Sequence, residues 1–163
     1  MLTYDKQTKS YVVDNSRQAD VAWCAGFFEG EGSVTVYHTQ VGFLGNVSCE
    51  QKVKEPLLKM QEVFGGEIEP RHSRKSWQWT LYGHQAKAFL NVLKFFIQTP
   101  HRQKEIIIFN AYFSTTDVEQ RIKMLTWWRT RRAAAETERH DPSIGEATVR
   151  TNEQSLEEHN SVR

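Results

Sequence analysis

The 163-residue chain predicts an α+β fold, a four-stranded antiparallel sheet backed by helices on one face. Three observations carry this. The segments SVTVYHT and SWQWTLY alternate strictly between apolar and polar residues, the period of a strand with one buried face. Stretches beginning near Asp20, Lys54 and His84 instead repeat apolar residues at three and four positions, the period of a helix packed on a core. The resulting order is helix, strand, strand, helix, strand, strand, helix. It joins the strands as hairpins and leaves the far side of the sheet open.

Residues 1–19 are polar and without clear period, and predict a loosely packed N-terminal arm. Asp20 reads as the N-cap of a first helix, VAWCAGFFEG, which should end at Gly30 or Gly32. In the strand that follows, Val34 and Val36 share one face, with Ser33, Thr35, Tyr37 and Thr39 on the other. Gly42 and Gly45 mark the connection to a second strand over 46–50. Leu57, Met60 and Phe64 give the next helix its apolar face, and Gly65-Gly66 stops it. A short strand over 67–72 precedes SWQWTLY, where Trp77, Trp79 and Leu81 oppose Ser76, Gln78, Thr80 and Tyr82. A helix then runs from His84 to Thr99-Pro100, another starts at His101, and a last one covers about 116–135. From residue 137 the aromatic residues stop, and the segment to 163 reads as a mobile tail outside a domain spanning 20–136.

Nine Phe, five Tyr and five Trp supply a real core and exclude a wholly disordered chain. The two cysteines, Cys24 and Cys49, lie in apolar stretches and argue for reduced thiols in a soluble, intracellular protein. No signal-length apolar run begins the sequence and no membrane span occurs in it. The formal net charge of +1 hides an asymmetry: residues 138–163 hold six acids and three bases, which leaves +4 for residues 1–137. Bases cluster at Arg71, Arg74 and Lys75, at Arg102 and Lys104, and between Arg121 and Arg132. Such clusters can neutralise phosphates; solvated surface is the plainer alternative.

The open sheet face should carry Ser33, Thr35, Tyr37, Thr39, Ser48, Gln78 and Thr80, with Glu69 and Arg71 on the short strand. Donors and acceptors on a twisted ribbon can read base edges in a DNA major groove. Alternation alone fits an ordinary wet sheet face at least as well.

WCAGFFEGEGS is the unusual segment. Ala22, Gly26 and Gly30 fall four apart, so one ridge of the helix is nearly bare, with Trp23 and Phe27 beside it. A bare ridge permits a second helix to approach closely. Each helical glycine costs about 1 kcal/mol relative to alanine. Glu29 and Glu31 also stand at the helix C-terminus, where the macrodipole disfavours acids. A phosphate-binding glycine loop does not explain this, because the glycines end a helix and no Lys-Ser or Lys-Thr follows.

CAGFFEGEG, residues 24–32, resembles the motif of LAGLIDADG homing endonucleases, with Cys24 in place of the usual leucine and Glu for both aspartates. VSCEQKVKEPLLKMQEVFGG and WQWTLYG extend the resemblance over about residues 20–112. It implies the αββαββα fold with a saddle-shaped sheet. One motif copy implies a homodimer whose motif helices pack through Ala22, Trp23, Gly26, Phe27 and Gly30. The implied activity is cleavage of double-stranded DNA at a long near-palindromic site, with intron homing as its setting. Glu31 and the Gly30 carbonyl would bind Mg²⁺, for which Mn²⁺ or Ca²⁺ could substitute in binding. Glu29 would be structural, and Gln51 would order the attacking water. The family's catalytic lysine has no clean counterpart in TPHRQKEIII, where His101 or Arg102 is favoured as the catalytic basic residue that would stabilise charge on the phosphate in the transition state. The nine open-face residues become candidate DNA contacts, Arg71 foremost for guanine. The missing lysine keeps open an RNA maturase acting on intron RNA, or a DNA-binding protein that does not cut.

Overall fold

The computed structural model describes residues 1–40 and 42–140, with side chains as far as Arg131. The chain begins with a small hairpin, β1 (Thr3–Asp5) and β2 (Ser10–Val12), followed by α1 (Gln18–Glu31). Next come β3 (Gly32–Thr39), β4 (Gly42–Gln51), α2 (Glu55–Phe64), β5 (Glu67–Arg71), β6 (Ser76–Tyr82) and α3 (Gly83–Leu93). Then α4 (Pro100–Ser114) and α5 (Val118–His140) complete the described chain. The expected αββαββα core is present, with an antiparallel sheet of order β3-β4-β6-β5. Residues 1–125 form one compact unit; a second begins at Thr126, inside α5. Of the tail expected over 137–163, residues 137–140 instead continue α5, and residues 141–163 lie outside the described residues.

The core lies on one side of the sheet because alternation puts Val34, Val36, Val47, Cys49, Trp79 and Leu81 there, all buried. Helices α1, α2 and α3 cover them with Phe28, Met60, Phe64, Phe89 and Leu93. Phe89 is the hub, edge-on to Phe64 at 4.8 Å, Phe28 at 5.0 Å and Trp79 at 5.3 Å between ring centres. The Trp79 indole also donates to the Gly65 carbonyl at 2.7 Å. At the α2–β5 turn Gly66 has φ +94, and a Cβ there would stand 2.8 Å from that indole nitrogen, so the close approach requires glycine.

Four expectations are corrected. Residues 1–19 are not a loose arm: Leu2 and Tyr11 are buried, the Leu2 N–H donates to the Val63 carbonyl, the Tyr11 hydroxyl donates to the Phe64 carbonyl at 2.6 Å, and residues 18 and 19 already belong to α1. Three-residue strands are too short to show a period, and two apolar anchors suffice to seat them. Asp20 is not the N-cap; α1 starts two residues earlier, and Asp20 in its first turn pairs with Lys59 at 2.6 Å and Arg17 at 3.1 Å. Gly45 lies inside β4, not in a connection, whereas Gly42 opens that strand next to the turn with φ +122, as expected of a turn glycine. A Cβ on Gly45 would come within 2.9 Å of Phe109 on α4, the close approach that a strand glycine signals. Finally, α3 stops at Leu93, where the chain turns and brings Ile97 back into the core while Phe95 is exposed.

Two predictions concern this framework. Tyr11→Phe should lower stability by about 1 kcal/mol, a few degrees in melting temperature, because it removes a buried hydrogen bond. An unchanged melting temperature would show the hairpin to be passive. The second concerns His84, whose Nε2 lies 3.2 Å from the Lys9 ammonium. Lysine can only donate, so this nitrogen must be the unprotonated one. Burial first, then Lys9 and Lys87, lower the His84 pKa from 6.5. The unfolded chain therefore binds the proton more readily, and stability is lost as pH falls from above 6.5 through the lowered folded value. Melting curves at pH 7.5 and 5.5 should differ less for His84→Gln than for the wild type.

Candidate functional site

Helix α1 has two different faces. Val21, Cys24, Ala25 and Phe28 are buried, whereas Ala22, Gly26 and Gly30 are exposed. Trp23 is 43% exposed and its ring stacks on Phe27 at 5.3 Å and 9°. A Cβ on Gly26 or Gly30 would meet nothing within 4 Å. Gly32 is the contrast, since a Cβ there would overlap the Phe28 carbonyl and ring. Packing within the chain explains Gly32 and leaves Gly26 and Gly30 unexplained.

The two acids divide in the same way. Glu29 Oε1 accepts the N–H groups of Gln98 at 2.9 Å and Thr99 at 2.5 Å, and so caps α4. Hydrogen bonding from Thr99 holds its carboxyl below the ordinary range. Its place at the wrong end of α1 is thus explained by service to the right end of another helix. Glu31 is exposed, and among the described residues no hydrogen bond or ion pair reaches its carboxylate. It closes α1 where β3 begins, at the edge of the sheet.

In the β3–β4 register Gly32 pairs with Cys49, so Gln51, two residues further along β4, sits at the same end of the sheet as Gly30 and Glu31. His101 is exposed in the first turn of α4. Arg102 is buried and does not present its charge to solvent. It donates to Gly32 O at 2.6 Å and Glu29 O at 3.4 Å, pairs with Glu105 and lies over the Phe28 ring at 5.2 Å. The expectation of Arg102 as a group open to a phosphate is corrected accordingly. A one-residue step along α4 turns the chain from solvent to core.

Along the open face Ser33, Glu69 and Arg71 are exposed, and Thr35, Tyr37, Thr39 and Gln78 are half-buried. Ser48 and Thr80 share that face but are buried, at 7% and 8% exposure. They sit on the central strands, in one row with Ser33 and Glu67, and their neighbours shield them. In the adjoining row sits a residue the sequence reading passed over. Glu50, opposite Gln78, accepts from Ser76 Oγ at 2.5 Å and from Arg74 at 3.0 Å. Carrying the alternation two residues past Ser48 would have found it. Arg121 is engaged internally, donating to Tyr112 O at 3.2 Å with its guanidinium over Phe43.

Among the described residues no three His, Cys, Asp or Glu side chains converge on a metal-sized site. No described helix is long and apolar enough to cross a membrane. Burial pushes the Cys24 thiol up to about 12 and raises Cys49 as well, so both are unreactive.

A motif helix laid over a four-stranded antiparallel sheet is the architecture of homing endonucleases, and solved structures of that class share this fold. An archaeal intron-encoded homing endonuclease complexed with DNA superposes with a TM-score of 0.58 at 16% identity, covering 70% of this chain and 84% of that one. The homing endonuclease I-CvuI, in complex with its target in the presence of calcium, gives a TM-score of 0.57 at 15% identity over 68% of this chain and 78% of that one. The family model described as LAGLIDADG endonuclease matches residues 24–115, from the motif through α4, and the chain belongs to that family. An intron-encoded DNA endonuclease of Dictyostelium discoideum is 27% identical over 93 residues, 55% of this chain. The chain spans only 36% of that relative's length.

Proposed function

We propose that this protein is a homodimeric, divalent-metal-dependent endonuclease that cuts double-stranded DNA at a long near-palindromic site. One observation carries the reading: of the features that break local rules around the end of α1, packing within the chain accounts for Gly32 and Glu29 and leaves a bare exposed ridge ending in a carboxylate that has no hydrogen bond or ion pair among the described residues. A second copy of α1 fits that ridge, since two helices can approach closely where Ala22, Gly26 and Gly30 project almost nothing. Trp23 and Phe27 supply flanking apolar surface. A two-fold axis along the ridge brings Glu31 of each protomer together and sets two sheets side by side.

The donors fit a hard cation such as Mg²⁺ or Ca²⁺: an exposed carboxylate from Glu31 and the main-chain carbonyl of Gly30, completed by the second protomer, water and phosphate. When bound, the metal supplies Lewis-acid stabilisation and lowers the pKa of bound water. Glu31 holds it, Gln51 orients the attacking water from the end of β4, and His101 offers a donor toward the scissile phosphate. Ser33, Thr35, Tyr37, Thr39, Glu69, Arg71 and Gln78 contact the DNA, and Arg71 is the best placed for guanine O6 and N7. Ser48 and Thr80 contribute by supporting the face.

The test uses DNA spanning the intron-free junction of the host gene, incubated with the protein and Mg²⁺, alongside sedimentation of the free protein. A double-strand break and a dimer mass support the reading. Salt-sensitive binding without cleavage would transfer the protein to the non-cutting alternative, and preferential binding of intron RNA to the maturase.

A further inference from the structure

We propose that Arg102 and Glu29 form a reciprocal clamp that positions Glu31, with Glu105 holding Arg102 in place; the inference rests on Glu31 as the metal ligand. The last turn of α1 is intrinsically weak. Gly26 and Gly30 lower its helix propensity, and two acids face the negative end of its macrodipole. One guanidinium nitrogen of Arg102 reaches the carbonyls of Glu29 and Gly32, the residues on either side of the Gly30–Glu31 pair. The backbone that carries the metal-binding groups is therefore held from both sides by one side chain. In return Glu29 sends its carboxylate across to the N–H groups of Gln98 and Thr99, just before the helix that carries Arg102. Each helix end thus receives from the other the charge that suits it, a cation at the C-terminus of α1 and an anion at the N-terminus of α4.

Three further features mark Arg102 as a positioning residue, not a group that meets the phosphate. It is 6% exposed, Glu105 at 5% neutralises it, and the Phe28 ring lies beneath it. Burial without a carboxylate partner would be costly, and pairing with Glu105 offsets part of that cost. Lysine cannot replace it, because a single ammonium on a flexible stem does not bridge two carbonyls while also pairing with Glu105.

The experiment compares wild type, Arg102→Lys, Glu29→Gln and Glu31→Gln as full chains. Amide hydrogen exchange is read along residues 28–34, with single-turnover cleavage at saturating DNA and DNA affinity in Ca²⁺ measured beside it. Arg102→Lys should speed exchange selectively at residues 29–32 and lower the cleavage rate on the order of 10–100-fold, as small misplacements of reacting groups do. DNA affinity and dimer mass should stay at wild-type levels, since the sheet face is untouched and the ridge from Ala22 to Phe27 lies outside the loosened turn. Glu29→Gln, which keeps an acceptor oxygen, should show the same pattern more weakly. Unchanged exchange at 29–32, or a cleavage loss matched by an equal loss of DNA affinity, would overturn the clamp. If Arg102→Lys fails to fold, Glu29→Gln decides on the same readouts. Normal cleavage by Glu31→Gln would instead sink the functional reading beneath it, whatever Arg102 does.

Discussion

Glu31→Gln is expected to eliminate DNA cleavage while leaving the fold, the dimer and DNA binding intact. The substitution keeps side-chain size and removes the charge. Glu31 is exposed and makes no hydrogen bond or ion pair among the described residues, so the folded chain loses nothing. Removing an acid from a helix C-terminus even favours the helix by a few tenths of a kcal/mol. A carboxylate that anchors a catalytic metal supports several kcal/mol of transition-state stabilisation, so the rate should fall on the order of 10³-fold or more. Single-turnover cleavage of a plasmid bearing the target, with melting curves on the same samples, reads both halves of the expectation. A variant that cuts within tenfold of wild type would remove Glu31 from the metal site.

The second large effect is expected at Gly26. Gly26→Leu places a side chain where the chain itself has open space, and leucine is the better helix former by close to 1 kcal/mol. The isolated protomer should therefore be as stable as wild type or slightly more so. In a symmetric dimer the same side chain appears twice at the closest approach of the two helices, each copy costing roughly 1–3 kcal/mol of overpacking. Dimer dissociation should rise by roughly 10²-fold or more, and cleavage should vanish with it. Sedimentation across a concentration series checks this. A variant that stays dimeric with an unchanged dissociation constant would place the contact elsewhere. The opposite signs expected for protomer stability and dimer affinity are the discriminating feature, because a glycine packed against its own chain, such as Gly32 against Phe28, would lose both.

The core elements were legible because their periods are strong. Val34 and Val36 against Ser33 and Thr35 define β3 without tertiary help, as Trp79 and Leu81 against Gln78 and Thr80 define β6. What escaped were features without a local period. The β1–β2 hairpin depends on two residues, Leu2 and Tyr11, meeting α2 from across the chain. Gly45 looked like a turn residue because glycine is poor in strands, and only the approach of Phe109 from α4 shows why it stands there. Ser48 and Thr80 had the right parity, but parity gives direction and not depth; flanking strands decide exposure.

At the candidate site the division is sharper. Residue identities and their order along the chain were sufficient to single out the Ala22–Gly26–Gly30 ridge and the two glutamates, because glycine in a helix and acids at its C-terminus violate rules that act within a few residues. Which glutamate was spoken for, and which base had its charge buried, depended on contacts about seventy residues apart in sequence. Glu29 and Arg102 meet only because α4 returns to the end of α1. Local backbone energetics can mark a position as exceptional, whereas a long-range hydrogen bond has no sequence period and exists only once the chain has folded.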